Sequence, residues 1–177
     1  YLATGISKKN DGTIQNKPKK FGILPGLIEP DVLQTMQQVP GIISVDETIS
    51  NINVRGGTHD QNLFLWNGIR MFQTGHFFGL ISAFNSSLAQ TISISKNGSS
   101  AFFGESVSSL VAISSRTNDI EKTNSSFSSN LISAELYSKI KLSDRANLTL
   151  SGRRSLTDVF SSPTYKNYSN RIFQNTE

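Results

Sequence analysis

The 177-residue chain contains no cysteine, which excludes disulfides, thiolate metal sites and thiol catalysis together. Charge is also scarce: Asp, Glu, Lys and Arg make up 17% of residues, and the apolar share is only 36%, both low for a compact soluble domain. Ser, Asn, Thr, Gln and Gly fill the difference, a mix that suits strands and loops better than helical bundles. No apolar run approaches the roughly 20 residues that a membrane-spanning helix requires. Tyr1 is not followed by a basic stretch and an apolar h-region, so the expectation is an internal piece of a longer precursor. The net charge of +4 is spread over Lys17, Lys19 and Lys20 near the start and Arg145, Arg153, Arg154, Lys166 and Arg171 in the last third. A nucleic-acid surface would show a denser basic stripe with interleaved aromatics, so no nucleic-acid partner is expected.

Catalytic patterns are equally missing. His59 and His76 are the only histidines, and neither stands in a metal-ligand spacing. Gly56-Gly57 belongs to no phosphate-binding loop, no G-x-S-x-G elbow occurs, and the acidic residues form no acid/base pair. The reading is therefore no enzyme, no cofactor and no metal.

What remains is a succession of short elements. Residues 1–20 are polar and read as a lead-in with little core of its own, with a short strand at Thr13–Gln15. Asp31 after Pro30 marks a helix start. Val32, Leu33, Met36 and Val39 give that helix one apolar face, and Pro40-Gly41 ends it. Strands follow at 42–45, 51–55, 62–66 and 69–72, with Asn67-Gly68 as a hairpin turn between the last two. Residues 73–87 read as a loop and 87–90 as a helical turn. Strands at 91–95 and 110–114 close the segment, with a turn at 96–98 between them. Residues 21–118 are thus predicted to be an α+β domain: a small mixed β-sheet with short helices.

Residues 119–129 read as a Ser- and Asn-rich linker. From 130 the pattern changes to long alternation. Ala134, Leu136, Ser138 and Ile140 point one way, and Ser133, Glu135, Tyr137 and Lys139 the other. After a turn at Ser143-Asp144, Leu148, Leu150 and Gly152 share a face. Two such strands fit a transmembrane barrel hairpin and an amphipathic hairpin of a soluble sheet about equally well. Among the aromatics, Phe64 and Trp66 are expected in the core. Phe72, Phe77 and Phe78, near Gln73 and His76, divide evenly between core packing and a binding loop.

Five segments in order resemble the plug domain of TonB-dependent outer-membrane receptors. They are Pro30–Gly41 ("D-V-L-x-x-x-P-G-V"), Asn51–Gly57 ("I-x-I-R-G"), Asp60–Ile69 ("L-x-L-D-G-I"), Lys96–Gly104 and Val107–Ser114. Asn67 stands where the family commonly has Asp, Ser109 where Gly is usual, and Ala112 where Asp is frequent. The resemblance implies a plug at 21–118 that gates the start of a transmembrane β-barrel at 130–177. It implies uptake of a scarce ligand such as a siderophore or other nutrient across the outer membrane, with the plug's own barrel domain as partner. TonB would engage an N-terminal region not recognisable here. Three loops would face the external ligand, giving Thr48, His59, Asp60, Phe72, Gln73, His76 and Phe77 as ligand-binding candidates. Arg55 and Arg116 would form salt bridges between plug and barrel. The competing reading is a soluble α+β ligand- or protein-binding module without a transport role.

Overall fold

The computed structural model describes the chain apart from residues 1–3, 22, 25–29, 46–47, 77–78, 80, 89–90, 97–98, 116–121, 131–132, 157–158, 160–162 and 175–177. Residues 97–98 of the expected turn at 96–98, and the residues Arg116, Phe77 and Phe78, lie outside the described residues. The chain divides into two compact units, Tyr1–Thr117 and Asn118–Glu177.

The first unit is built on a sheet of six strands: β1 (Ile6–Lys8), β2 (Ile14–Asn16), β5 (Asn62–Trp66), β6 (Ile69–Met71), β9 (Thr91–Ser95) and β10 (Ser109–Ser114). Their order is β1-β2-β9-β10-β5-β6, antiparallel except for the central pair β10–β5. Strands β3 (Ile42–Ser44) and β4 (Ile52–Val54) form one ribbon; β7 (Gly75–His76) and β8 (Ile81–Ser82) form another. Two short helices, α1 (Pro18–Phe21) and α2 (Val32–Met36), complete the unit. This is the α+β arrangement that the sequence pattern predicts.

Local chemistry accounts for the element ends. The Asp31 carboxylate accepts the Gln34 amide at 2.8 Å and so caps α2. The turn between β5 and β6 has φ of 50° at Asn67 and 88° at Gly68, the left-handed pair that a two-residue hairpin demands. Asn67 adds a clip of its own. Its Oδ1 accepts the Ser115 amide at 3.0 Å and its Nδ2 donates to the Ser115 hydroxyl at 2.6 Å, extending the β5–β10 pairing by one step.

The core lies on one face of the sheet. Val32, Leu33, Met36 and Val39 from α2 and its exit meet Ile42, Ile52 and Val54 of the first ribbon, and Phe64, Phe84, Ile92, Ile94, Val111 and Ile113. Leu63, Leu65 and Leu110 point to the opposite face and are covered by Phe103. Strand β5 is therefore apolar on both sides, as its unbroken Leu-Phe-Leu run requires.

Three sequence expectations need correction. The lead-in is not separate: β1 and β2 join the sheet, with Ile14 and Asn16 buried. The strand expected at Thr13–Gln15 is β2, which pairs with β9, and β1 becomes a strand by pairing with β2. The 73–87 loop contains β7 and β8. Residues 86–88 form a turn, and residues 89–90 of the expected helical turn lie outside the described residues. The linker contains β11 (Asn124–Ser129), whose single apolar residue, Phe127, gave no alternation to detect.

In the second unit β11, β12 (Ser133–Lys141) and β13 (Asn147–Ser155) form an antiparallel sheet, followed by helix α3 (Pro163–Gln174). The alternation holds, and its sense is inverted relative to a soluble sheet. Ser133, Glu135, Tyr137 and Lys139 are buried, whereas Phe127, Leu136 and Leu150 are 70%, 56% and 52% exposed. The register Phe127↔Leu136 and Ser138↔Leu150 puts these three on one face.

Candidate ligand-facing site

The segment Thr48–Ile52, which leads into β4, ties the candidate loops together. On one side it holds the β7–β8 ribbon. The amides of Ile49 and Ser50 both donate to the Gly79 carbonyl, at 2.7 and 3.1 Å, and the Thr74 hydroxyl donates to the Ser50 carbonyl at 3.5 Å. The approach is so close that a Cβ on Gly75 would lie 2.5 Å from the Ser50 Cβ, and one on Gly79 would lie 2.7 Å from the Ser50 hydroxyl. Gly79 also has φ of +81°, which disfavours any side chain there. Thr48 stays half-buried and accepts the Asn51 amide at 3.3 Å.

On the other side the same segment holds the 3-10 turn His59–Gln61. The Asn62 amide group donates to the carbonyls of Ile52, Thr58 and His59 at 2.7, 3.3 and 3.2 Å, and its oxygen accepts the Ser109 hydroxyl at 2.7 Å. One side chain therefore fixes the loop to both β4 and β10. Thr58 N donates to Gln61 Oε1 at 3.4 Å, closing the turn. A hydrogen bond from the Thr58 side chain, the largest cause, holds the exposed Asp60 carboxyl below the usual carboxylate range.

Of the candidate side chains, His59, Asp60, Phe72, Gln73 and His76 are exposed. Phe72 is the clearest case, 84% exposed with the Arg70 guanidinium 4.5 Å from its ring centroid. Arg70 in turn pairs with Glu105, a residue held at φ of 62°. Phe72 is therefore no core residue. Phe64 and Trp66 pack inward as expected, stacked on Phe84 at 6.1 and 5.6 Å between centroids. The structure thus attaches two loops to the Thr48–Ile52 strut and leaves His59, Asp60, Phe72, Gln73 and His76 exposed.

Sequence reasoning missed the residues that do the attaching: Ser50, Asn62, Gly75 and Gly79. The Gly-x-x-x-Gly spacing of the glycines was visible, but nothing local to Asn62 distinguishes it from the other asparagines. Arg55 sits in a turn at φ of 50° and donates its amide to the Gly41 carbonyl at 2.9 Å. Lys96 lies near it and donates Nζ to the Pro40 carbonyl at 2.6 Å. Its pKa is lowered by burial first, then by the charges of Arg55 and Lys8. No group of three or more metal-ligating side chains occurs among the described residues.

Residues 29–109 match the sequence model of the TonB-dependent Receptor Plug Domain. A plug domain is a component of a transport receptor and not an enzyme. Among solved structures, the fold is similar to the copper transporter OprC, at 16% identity and a TM-score of 0.57. The match covers 87% of this chain and 26% of that one. No curated protein matches the sequence.

Proposed function

We propose that the chain is the gate and the first barrel strands of a TonB-dependent outer-membrane receptor for energy-coupled uptake of a nutrient. The observation that carries the reading is the inverted second sheet. A soluble hairpin buries its leucines, whereas β12 buries Ser133, Glu135, Tyr137 and Lys139 and exposes Leu136, and Leu148 and Leu150 of β13 are exposed as well. That is the pattern of a strand with lipid outside and a polar lumen inside. The soluble-module reading leaves the exposed face of Phe127, Leu136 and Leu150 unexplained.

In this reading Thr48, His59, Asp60, Phe72, Gln73, His76 and Phe77 form the ligand-facing surface, and Arg55 and Arg116 pair with carboxylates of the barrel wall. TonB, acting through the N-terminal region, supplies the work of opening. A siderophore is one ligand class of suitable chemistry, because exposed aromatics, amides and imidazoles can contact a polar organic ligand through ring faces and hydrogen bonds. The name of OprC does not extend copper to this chain, since that likeness is one of fold.

The test is fractionation of cells that express the full-length protein, followed by growth on candidate nutrients with and without TonB. Recovery in the outer membrane and TonB-dependent growth support the proposal. Recovery in the soluble fraction would overturn it. Phe72→Ala and His76→Ala should reduce uptake while leaving the amount of folded receptor unchanged.

A further inference from the structure

The register of the second sheet assigns a face to each of its strand residues. Phe127, Leu136 and Gly152 are aligned across β11, β12 and β13, and Leu150 lies opposite Ser138. Residues directly opposite each other share a face, and faces alternate along a strand, so these positions belong to the exposed apolar face. Two residues beyond Gly152 the same face carries Arg154, opposite Ala134, and Arg154 is exposed. No other charged side chain stands on that face among the described residues of the three strands.

The position of this charge is a border. At the far end the face closes at Leu142, whose amide donates to the Ala146 carbonyl at 3.1 Å. From Ala146 to Arg154 the strand rises roughly 26 Å at about 3.3 Å per residue. At a barrel tilt near 40° that is about 20 Å across the membrane, close to the height of a lipid-facing band. The two borders differ in charge. At the turn, Lys141 is paired with Asp144 at 2.7 Å, and the Asp144 carboxylate beside Arg145 repels an anion. Beyond β13 the chain turns basic: residues 153–174 hold four basic side chains and one acidic one. Lys166 and Arg171 of α3 are exposed. The residues around Arg154 on its face are small, Ala134 and Gly152, and a Cβ at Gly152 would meet nothing within 4 Å.

We propose that Arg154 binds the phosphate of a lipid head group at the border of the lipid-facing strands. The inference rests on the outer-membrane reading and adds to it a residue and a ligand chemistry. A guanidinium offers parallel N–H donors that match two phosphate oxygens, which an ammonium cannot do. The small neighbours leave room for the head group to approach. The acyl chains of the same molecule lie along Phe127, Leu136 and Leu150, so the face fits an amphiphile better than a free anion.

Binding of a fluorescent phosphatidic acid to the purified full-length protein in dodecyl maltoside micelles tests it. Arg154→Gln should weaken binding by about tenfold, the loss expected for one charge-assisted contact. Arg154→Lys should weaken it less, and Arg145→Gln should leave it unchanged. Phosphatidylcholine, whose phosphate is partnered by its own ammonium group, should bind more weakly than phosphatidic acid. Equal binding by the parent and Arg154→Gln would overturn the proposal. Equal losses in Arg154→Gln and Arg145→Gln would overturn it too, since they would mean a general attraction to basic residues. Displacement of the lipid by millimolar inorganic phosphate would reveal a free-anion site and also count against it. Cell fractionation separates the two readings: a receptor found in the outer membrane whose lipid binding ignores Arg154 removes this proposal alone.

Discussion

At the scale of single residues, exposure and close approach separate side chains that serve a ligand from those that serve the fold. Phe72 makes its described ring contact with Arg70 and lies open to solvent, so Phe72→Ala should change stability by no more than about 0.5 kcal/mol. A loss of stability as large as the loss of uptake would place Phe72 in the core after all. Gly75 is the opposite case. Gly75→Ala drives a methyl group into Ser50 and should destabilise the first unit by about 1–3 kcal/mol in urea unfolding, because neither backbone can withdraw without breaking the Gly79 contacts.

Asp60 gives a pH dependence at the same scale. Its folded pKa is depressed, so its contribution is present above the unfolded value of about 3.9 and is lost as the pH falls through the folded value. Between about pH 5 and pH 3 the unfolding midpoint should fall less steeply in Asp60→Asn than in the parent. The effect should be small, because the group is fully exposed.

At the scale of elements, those with a chemical start or stop were readable and those made by pairing were not. Helix α2 was legible from Asp31, the apolar spacing after it and Pro40-Gly41 beyond it. Asp31→Ala should cost about 1 kcal/mol, seen as a lower melting temperature of the first unit, because it frees the Gln34 amide. The β5–β6 hairpin was legible from Asn67-Gly68, and β9 from Thr-Ile-Ser-Ile-Ser. Strands β1, β7, β8 and β11 have two to six residues with little apolar content. No local preference specifies them. They become strands because a neighbour offers a row of backbone donors and acceptors.

At the scale of the molecule the two units should behave differently. The first has its own core of fourteen buried apolar residues, so a fragment of residues 1–117 should fold alone and unfold in one cooperative step. The second has exposed leucines and, along β13, a strand whose outer edge has no described neighbour. A fragment of residues 118–177 should therefore show weak amide protection across β12 and β13 in water. Strong protection in the monomeric fragment would mean that this sheet is a soluble one.

The sequence by itself determined the order of the elements, the capped helix, the glycine turn and the alternation of β12 and β13, because each rests on contacts within a few residues. It also carried the likeness to the plug family, through five segments kept in order. Only the tertiary structure decided which face of β12 is buried, since periodicity separates two faces without saying which one meets solvent. The tertiary structure also decided that Thr48–Ile52 binds two distant loops through Asn62 and Gly79, and that the first strands belong to the sheet. Those outcomes depend on which backbone groups meet across the fold, and residue spacing holds no record of that.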